Sequence, residues 1–295
     1  MTPRCCGGPD SSDFRSSRDL DVCTGASIRR LSARLVQRIR GGECGSRVPE
    51  RPDVDGATSP MVLSMRSSLV AVTFDVRDPA QVARFWADML GRNVVEMSSG
   101  VVLRGDGKQL GLGFAPCHIE KSGPNRVHLH LTSTTDADQQ QTVEKALGLG
   151  ARHLDVGQRP EEGHVVLADP GGNEFCVIEP NNSFIANCGF LGELACDGGH
   201  EVGLFWSQAL GWPLVWDHDQ ETAIQSPLGG TKIAWGGPSV NPAVTSLRQR
   251  FHLTIHDGDA RSEVDRLISL GASRIDENTL ADPDGNEFRL LERDD

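Results

Sequence analysis

The run Asp169-Pro170-Gly171-Gly172-Asn173-Glu174-Phe175 returns 113 positions later as Asp282-Pro283-Asp284-Gly285-Asn286-Glu287-Phe288. Each copy sets an Asp before a Pro whose φ is fixed and places a Gly at the fourth position, which is type I turn chemistry. Each turn leads into an apolar strand, Phe175 to Ile178 and Phe288 to Leu291. Upstream, Val143, Ala146 and Leu147 before Gly150-Ala151 match Val264, Leu267 and Ile268 before Gly271-Ala272, displaced by 121 positions. Further back, PAQVARFWADMLG (79–91) and HEVGLFWSQALGW (200–212) are displaced by 120. In both, apolar residues recur at helical spacing, as in Val82, Phe85, Trp86, Met89 and Leu90, and a Gly ends the helix at Gly91 or Gly211. Three motifs repeated in one order identify an internal duplication.

Short alternating segments lie between these helices: Leu69 to Val76, Val101 to Arg104, Leu110 to Phe114, Val127 to Leu131 and His164 to Leu167. Each half therefore reads as two βαβββ modules, an α+β organisation in which curved sheets form a cup. The expected domains are 66–182 and 187–295, with 181–187 as linker. Residues 1–60 are rich in Arg, Ser, Gly and Asp, with one apolar run at 28–39, and are expected to be a disordered tail that precedes a working start at Met61 or Met65.

A βαβββ pair with an FWxxxLG-like helix, a VHLHL strand and a terminal DPxGNEF turn resembles the glyoxalase-like branch of the vicinal oxygen chelate superfamily, which also holds bleomycin-resistance proteins and ring-cleaving dioxygenases. The resemblance covers nearly everything after Met65 and implies two tandem domains of that fold. It also implies where a divalent ion would sit, on a His of the first strand, a Glu or Gln of the fourth, a His of the fifth and a Glu of the eighth. Counting from the helices and turns puts Ala71, His128 and Cys176 at such positions in the first half, with no acid in 109–114. In the second half it puts Leu191, His252 and Arg289 there, with Glu193 two residues beyond Leu191 on the same strand face. One ligand of four does not hold a hard cation, so no metal site and no cofactor are expected. A divalent metal, or a zinc site improvised from His128, His130 and Cys176, is the alternative.

The remaining polar candidates follow from strand alternation. His128 and His130 share a face, by resemblance the inside of the cup, and His252, Thr254 and His256 repeat the arrangement. His128 is the candidate catalytic base, against a purely structural pair of hydrogen-bonded histidines. His128, His130, Cys176, Glu193, His252, Thr254 and Arg289 are the candidate ligand contacts. Arg289 would bind an anionic ligand or pair with Glu193, and Cys176 is either a reactive thiol or a small buried hydrophobe.

Composition restricts partners. The chain has 295 residues, 41 acids against 29 bases and a net charge of -12, which disfavours nucleic acid and anionic membranes and leaves a small molecule as the expected partner. No apolar run approaches the roughly 18 residues of a membrane span, and no apolar signal opens the sequence, so a cytoplasmic location is expected. The eight cysteines form no CxxC pair and read as free thiols. The basic residues are mostly Arg, a skew suggesting a GC-rich bacterial genome. The expected function is metal-independent small-molecule binding. The alternatives are a lyase, isomerase or dioxygenase using a noncanonical metal or a histidine base, and an interaction module with one degenerate repeat. Two repeats in one chain imply a monomer built as an internal pseudo-dimer, with a homodimer as the alternative.

Overall fold

The structure is a computed structural model and describes residues 67–159, 161–236, 248–256 and 259–291. The expected disordered tail, residues 1–60, lies outside the described residues. Four βαβββ modules follow one another. The first holds β1 (Ser67–Val76), α1 (Pro79–Leu90), β2 (Val94–Met97), β3 (Gly100–Leu103) and β4 (Gly111–Pro116). In the second are β5 (Val127–Leu131), α2 (Asp136–Gly148), β6 (Arg152–His153), β7 (Val165–Ala168) and β8 (Glu174–Val177). The third comprises β9 (Leu191–Asp197), α3 (His200–Leu210), β10 (Leu214–His218), β11 (Glu221–Gln225) and β12 (Lys232–Gly236). The fourth comprises β13 (Gln249–Ile255), α4 (Ala260–Ser269), β14 (Ser273–Arg274), β15 (Thr279–Ala281) and β16 (Glu287–Leu291). Local chemistry sets the first helix. The Asp78 carboxylate accepts from the Gln81 N–H at 2.9 Å, Pro79 opens the helix, and Gly91 closes it at φ 65°. Among the described residues no helix is long and apolar enough to cross a membrane.

The strands join into two eight-stranded sheets, and each sheet takes one module from each repeat. Sheet A runs β14-β15-β16-β13-β1-β4-β3-β2, and sheet B runs β10-β11-β12-β9-β5-β8-β7-β6. The seams are antiparallel, β1 against β13 and β5 against β9. Tandem repeats along the chain thus become interlocked halves in space, because the edge that each first module leaves open is closed by the other repeat.

One face of both sheets and the four helices build a common apolar core that includes Phe74, Trp86, Phe114, Phe175, Trp206, Trp235 and Phe288. The repeated motifs meet there. The Trp86 indole donates to Asp169 Oδ2 at 2.9 Å while its ring lies edge-on to Phe175 at 5.0 Å. Asp169 Oδ1 also accepts from the backbone of Gly171 and Asn173. Trp206, Asp282 and Phe288 repeat the contact at 3.1 and 5.0 Å. A helix of one sheet is thereby fastened to a turn of the other, so the FW and DPxGNEF motifs form one device. The four described cysteines are free thiols.

Candidate functional site

The opposite, concave faces carry the candidate residues, and strand register decides which of them meet. Across sheet A one row reads Gly111, Ala71, His252 and Arg289. The equivalent row of sheet B reads Lys232, Glu193, His130 and Cys176. The strand register differs from the expected ligand positions at two places. Glu193 rather than Leu191 stands opposite the fifth-strand histidine, and His130 rather than His128 is the counterpart of His252. Counting back from the helix overshoots because Glu193 lies 12 residues before Phe205 whereas Ala71 lies 14 before Phe85, and His130 is fixed by its pairing with Cys176 as His252 is by Arg289. The expected Arg289–Glu193 pair does not form, because the two residues belong to different sheets.

In sheet B, His130 Nδ1 meets Glu193 Oε2 at 2.8 Å, both side chains being buried. Burial opposes charge on this ring, but the Cys176 sulfur and the Glu193 carboxylate outweigh it and raise the His130 pKa above the ordinary value. His128 lies on the same face, opposite Ala195, with Nε2 buried and without a hydrogen-bond partner. Burial pushes its pKa down to about 4, so the ring is neutral near pH 7. This cup is filled from within. Phe184 and Ile185, from the segment read as linker, pack with Val166, Cys176, Ile178, Cys188, Ala223 and Ala234 in a second apolar cluster. Phe184 meets Trp216 edge-on at 6.1 Å, and the Lys232 ammonium lies 4.5 Å from its ring centroid. Lys232 Nζ also donates to the Phe184 carbonyl. Cys176 is 1% exposed.

Sheet A keeps its cup open. A cavity of about 530 Å³ lies over Ala71, Gly111, His252 and Thr254. Small side chains leave this floor low, while Val102, Met97, Leu228 and Trp212 form apolar walls and Arg104, Lys108 and Gln109 add polar ones. His252 Nδ1 is 3.4 Å from Thr73 Oγ1, and its Nε2 is buried without a partner. Burial, together with the charges of Arg250 and Arg289, lowers the His252 pKa to about 4. Of the sequence candidates, His252 and Thr254 line this cavity and Arg289 stands beside His252 on the next strand. His128, His130, Cys176 and Glu193 belong to the filled cup. Counting missed Arg104, Lys108, Trp212 and Leu228; the turn signal Gly105-Asp106-Gly107 marks the loop carrying the first two, but nothing local shows that the third module's Trp212 and Leu228 reach across.

Neither row suits the divalent ion that the resemblance implies. In sheet A, alanine and glycine carry no donor atom and Arg289 brings a fixed positive charge beside the single imidazole. In sheet B the fourth-strand place holds Lys232, and Glu193 is committed to a charged His130. Ligand sets for such ions need several oxygen or nitrogen donors and open positions, without a cation among them.

The family profile of the glyoxalase-like domain matches residues 71–178 and 193–291. Among solved structures, glyoxalase I from Zea mays superposes with a TM-score of 0.57 at 14% identity, over 77% of this chain and 92% of that one. A mutant of the same maize enzyme gives 0.55 at 13% identity, over 77% and 94%. At such identities the likeness is one of fold. A search of curated protein sequences found no match.

Proposed function

The chain belongs to the glyoxalase-like domain family, and on that premise we propose that it binds a small organic molecule in the cup of sheet A, without a metal ion, while the cup of sheet B is a packed structural element. One observation carries the reading: the two concave faces differ, one enclosing about 530 Å³ and the other filled by Phe184, Ile185 and their neighbours. A hollow of several hundred Å³ with apolar walls and a few polar groups has the form of a small-molecule site. The unequal cups also support the interaction-module idea in part, since the second has lost its hollow to packing. A histidine-base enzyme is the second reading. His252 is the cavity group that would serve, and its low pKa makes it a weak base near neutrality, which favours binding over catalysis.

Thermal-shift screening of a fragment library against three proteins tests the proposal. Stabilising compounds should be found for the wild type and for Phe184→Ala, and should be lost in Val102→Trp, whose indole would occupy the hollow. Elemental analysis of the purified protein should find no stoichiometric zinc, iron, nickel or manganese. Hits retained by Val102→Trp, or one equivalent of metal, would overturn it.

A further inference from the structure

Resting on that binding reading, the charge of the cavity indicates the class of its ligand. Among the described residues that line it are Arg104 and Lys108 and no Asp or Glu, in a chain whose net charge is -12. The carboxylate between them in sequence is turned onto its own loop. Asp106 Oδ1 accepts from the backbone N–H of Lys108 at 3.0 Å and of Gln109 at 2.8 Å, and those bonds hold its pKa below the ordinary range. Arg104 and Lys108 form no ion pair with another described residue, whereas Arg250, deeper in the same face, is neutralised by Asp75 at 2.9 Å. Arg289, beside His252, adds a further positive charge near the floor.

The other polar groups of the cavity are mostly committed. The Gln109 amide binds the Cys188 carbonyl at 2.7 Å and accepts from the Leu191 N–H at 2.9 Å, and the Ser68 hydroxyl meets His256 at 2.6 Å. The buried Nε2 of His252 is not committed. A cationic ligand would meet positive charge with no counter-ion among the described lining residues, and a neutral one would gain nothing from the two rim cations, which are exposed to solvent. We infer that the cavity takes an organic anion, a molecule with a carboxylate or sulfonate group and an apolar body. The acid group meets Arg104 and Lys108, and the body lies against Val102, Met97 and Leu228. Low-dielectric walls strengthen that attraction relative to open surface.

Titration calorimetry at low salt with 2-naphthoate, 2-naphthamide and 2-naphthylmethylammonium tests the inference, since the three share a body and differ in charge. Naphthoate should bind one-to-one and about tenfold or more tighter than the amide, the gain of one charge-assisted contact, with the ammonium weakest. The double variant Arg104→Gln, Lys108→Gln should bring naphthoate down to the level of the amide and leave the amide unchanged. Val102→Trp should abolish all binding. Equal affinities for acid and amide, or a tighter ammonium, would overturn the anion assignment while leaving the pocket reading intact. Failure of all three probes would remove the pocket reading and the assignment together.

Discussion

Glu193→Gln probes the filled cup where its electrostatics are concentrated. In the wild type, the buried His130 ring is held charged by Cys176 and Glu193, with its pKa raised above the ordinary value, so the folded protein keeps a proton that the unfolded chain releases near pH 6.5. The stabilisation is complete below pH 6.5 and is lost as pH rises through the folded pKa. Over that interval the folded state binds one more proton, and stability falls by about 1.4 kcal/mol per pH unit. Between pH 7 and 9 the loss from this group is therefore roughly 2.5 kcal/mol. Glutamine preserves shape but not charge. Removing one member of a buried pair costs about 3–5 kcal/mol, less where the remaining group can discharge, so about 3 kcal/mol is expected at pH 7. Urea unfolding of both proteins at pH 7, 8 and 9 measures the effect. The two stability curves should converge as pH rises, because the variant has less left to lose. Parallel curves, or a variant as stable as the wild type at pH 7, would refute the charged pair.

The filling of the sheet B cup and the fastening of the motifs give two further expectations. Phe184→Ala removes a buried ring that packs on Trp216 and lies under Lys232, and should cost about 3–5 kcal/mol by urea unfolding while leaving binding in sheet A unchanged; a loss below 1 kcal/mol would show that the ring is not packed. Trp86→Phe and Trp206→Phe each leave a buried aspartate without its indole donor, and the two should cost alike, about 1–3 kcal/mol, if the motif is one device used twice. Markedly unequal losses would contradict that equivalence.

Much of the fold was legible because its signals are local. The apolar stripe of Val82, Phe85, Trp86 and Met89, the stops at Gly91 and Gly211 and the DPxGNEF turns each report on a few consecutive residues. The exchange of modules between sheets was not legible, since a period of two says which face a residue takes but not which strand lies beside it. The strand-to-helix separation, two residues shorter from Glu193 to Phe205 than from Ala71 to Phe85, carries no sequence mark of its own and exchanges Leu191 for Glu193, while only the pairing with Cys176 selects His130 over His128. The linker held the largest omission. Phe184 and Ile185 sit among Asn, Ser and Ala residues that read as a connection, and only the three-dimensional path shows that they close one cup and so leave the other as the open one. Arg104 and Lys108 were likewise invisible as site residues, because exposed cations on a turn are ordinary until a cavity lies beside them.

A crystal structure of the protein grown with 2-naphthoate and zinc, with data collected at the zinc absorption edge, tests the difference between the cups most directly. The aromatic acid should lie between Val102, His252 and Leu228, with Phe184 still seated against Trp216 and no anomalous peak in either row of strand-register partners. Naphthoate found beneath a displaced Phe184, or zinc bonded by Glu193, His130 and Cys176, would contradict the account.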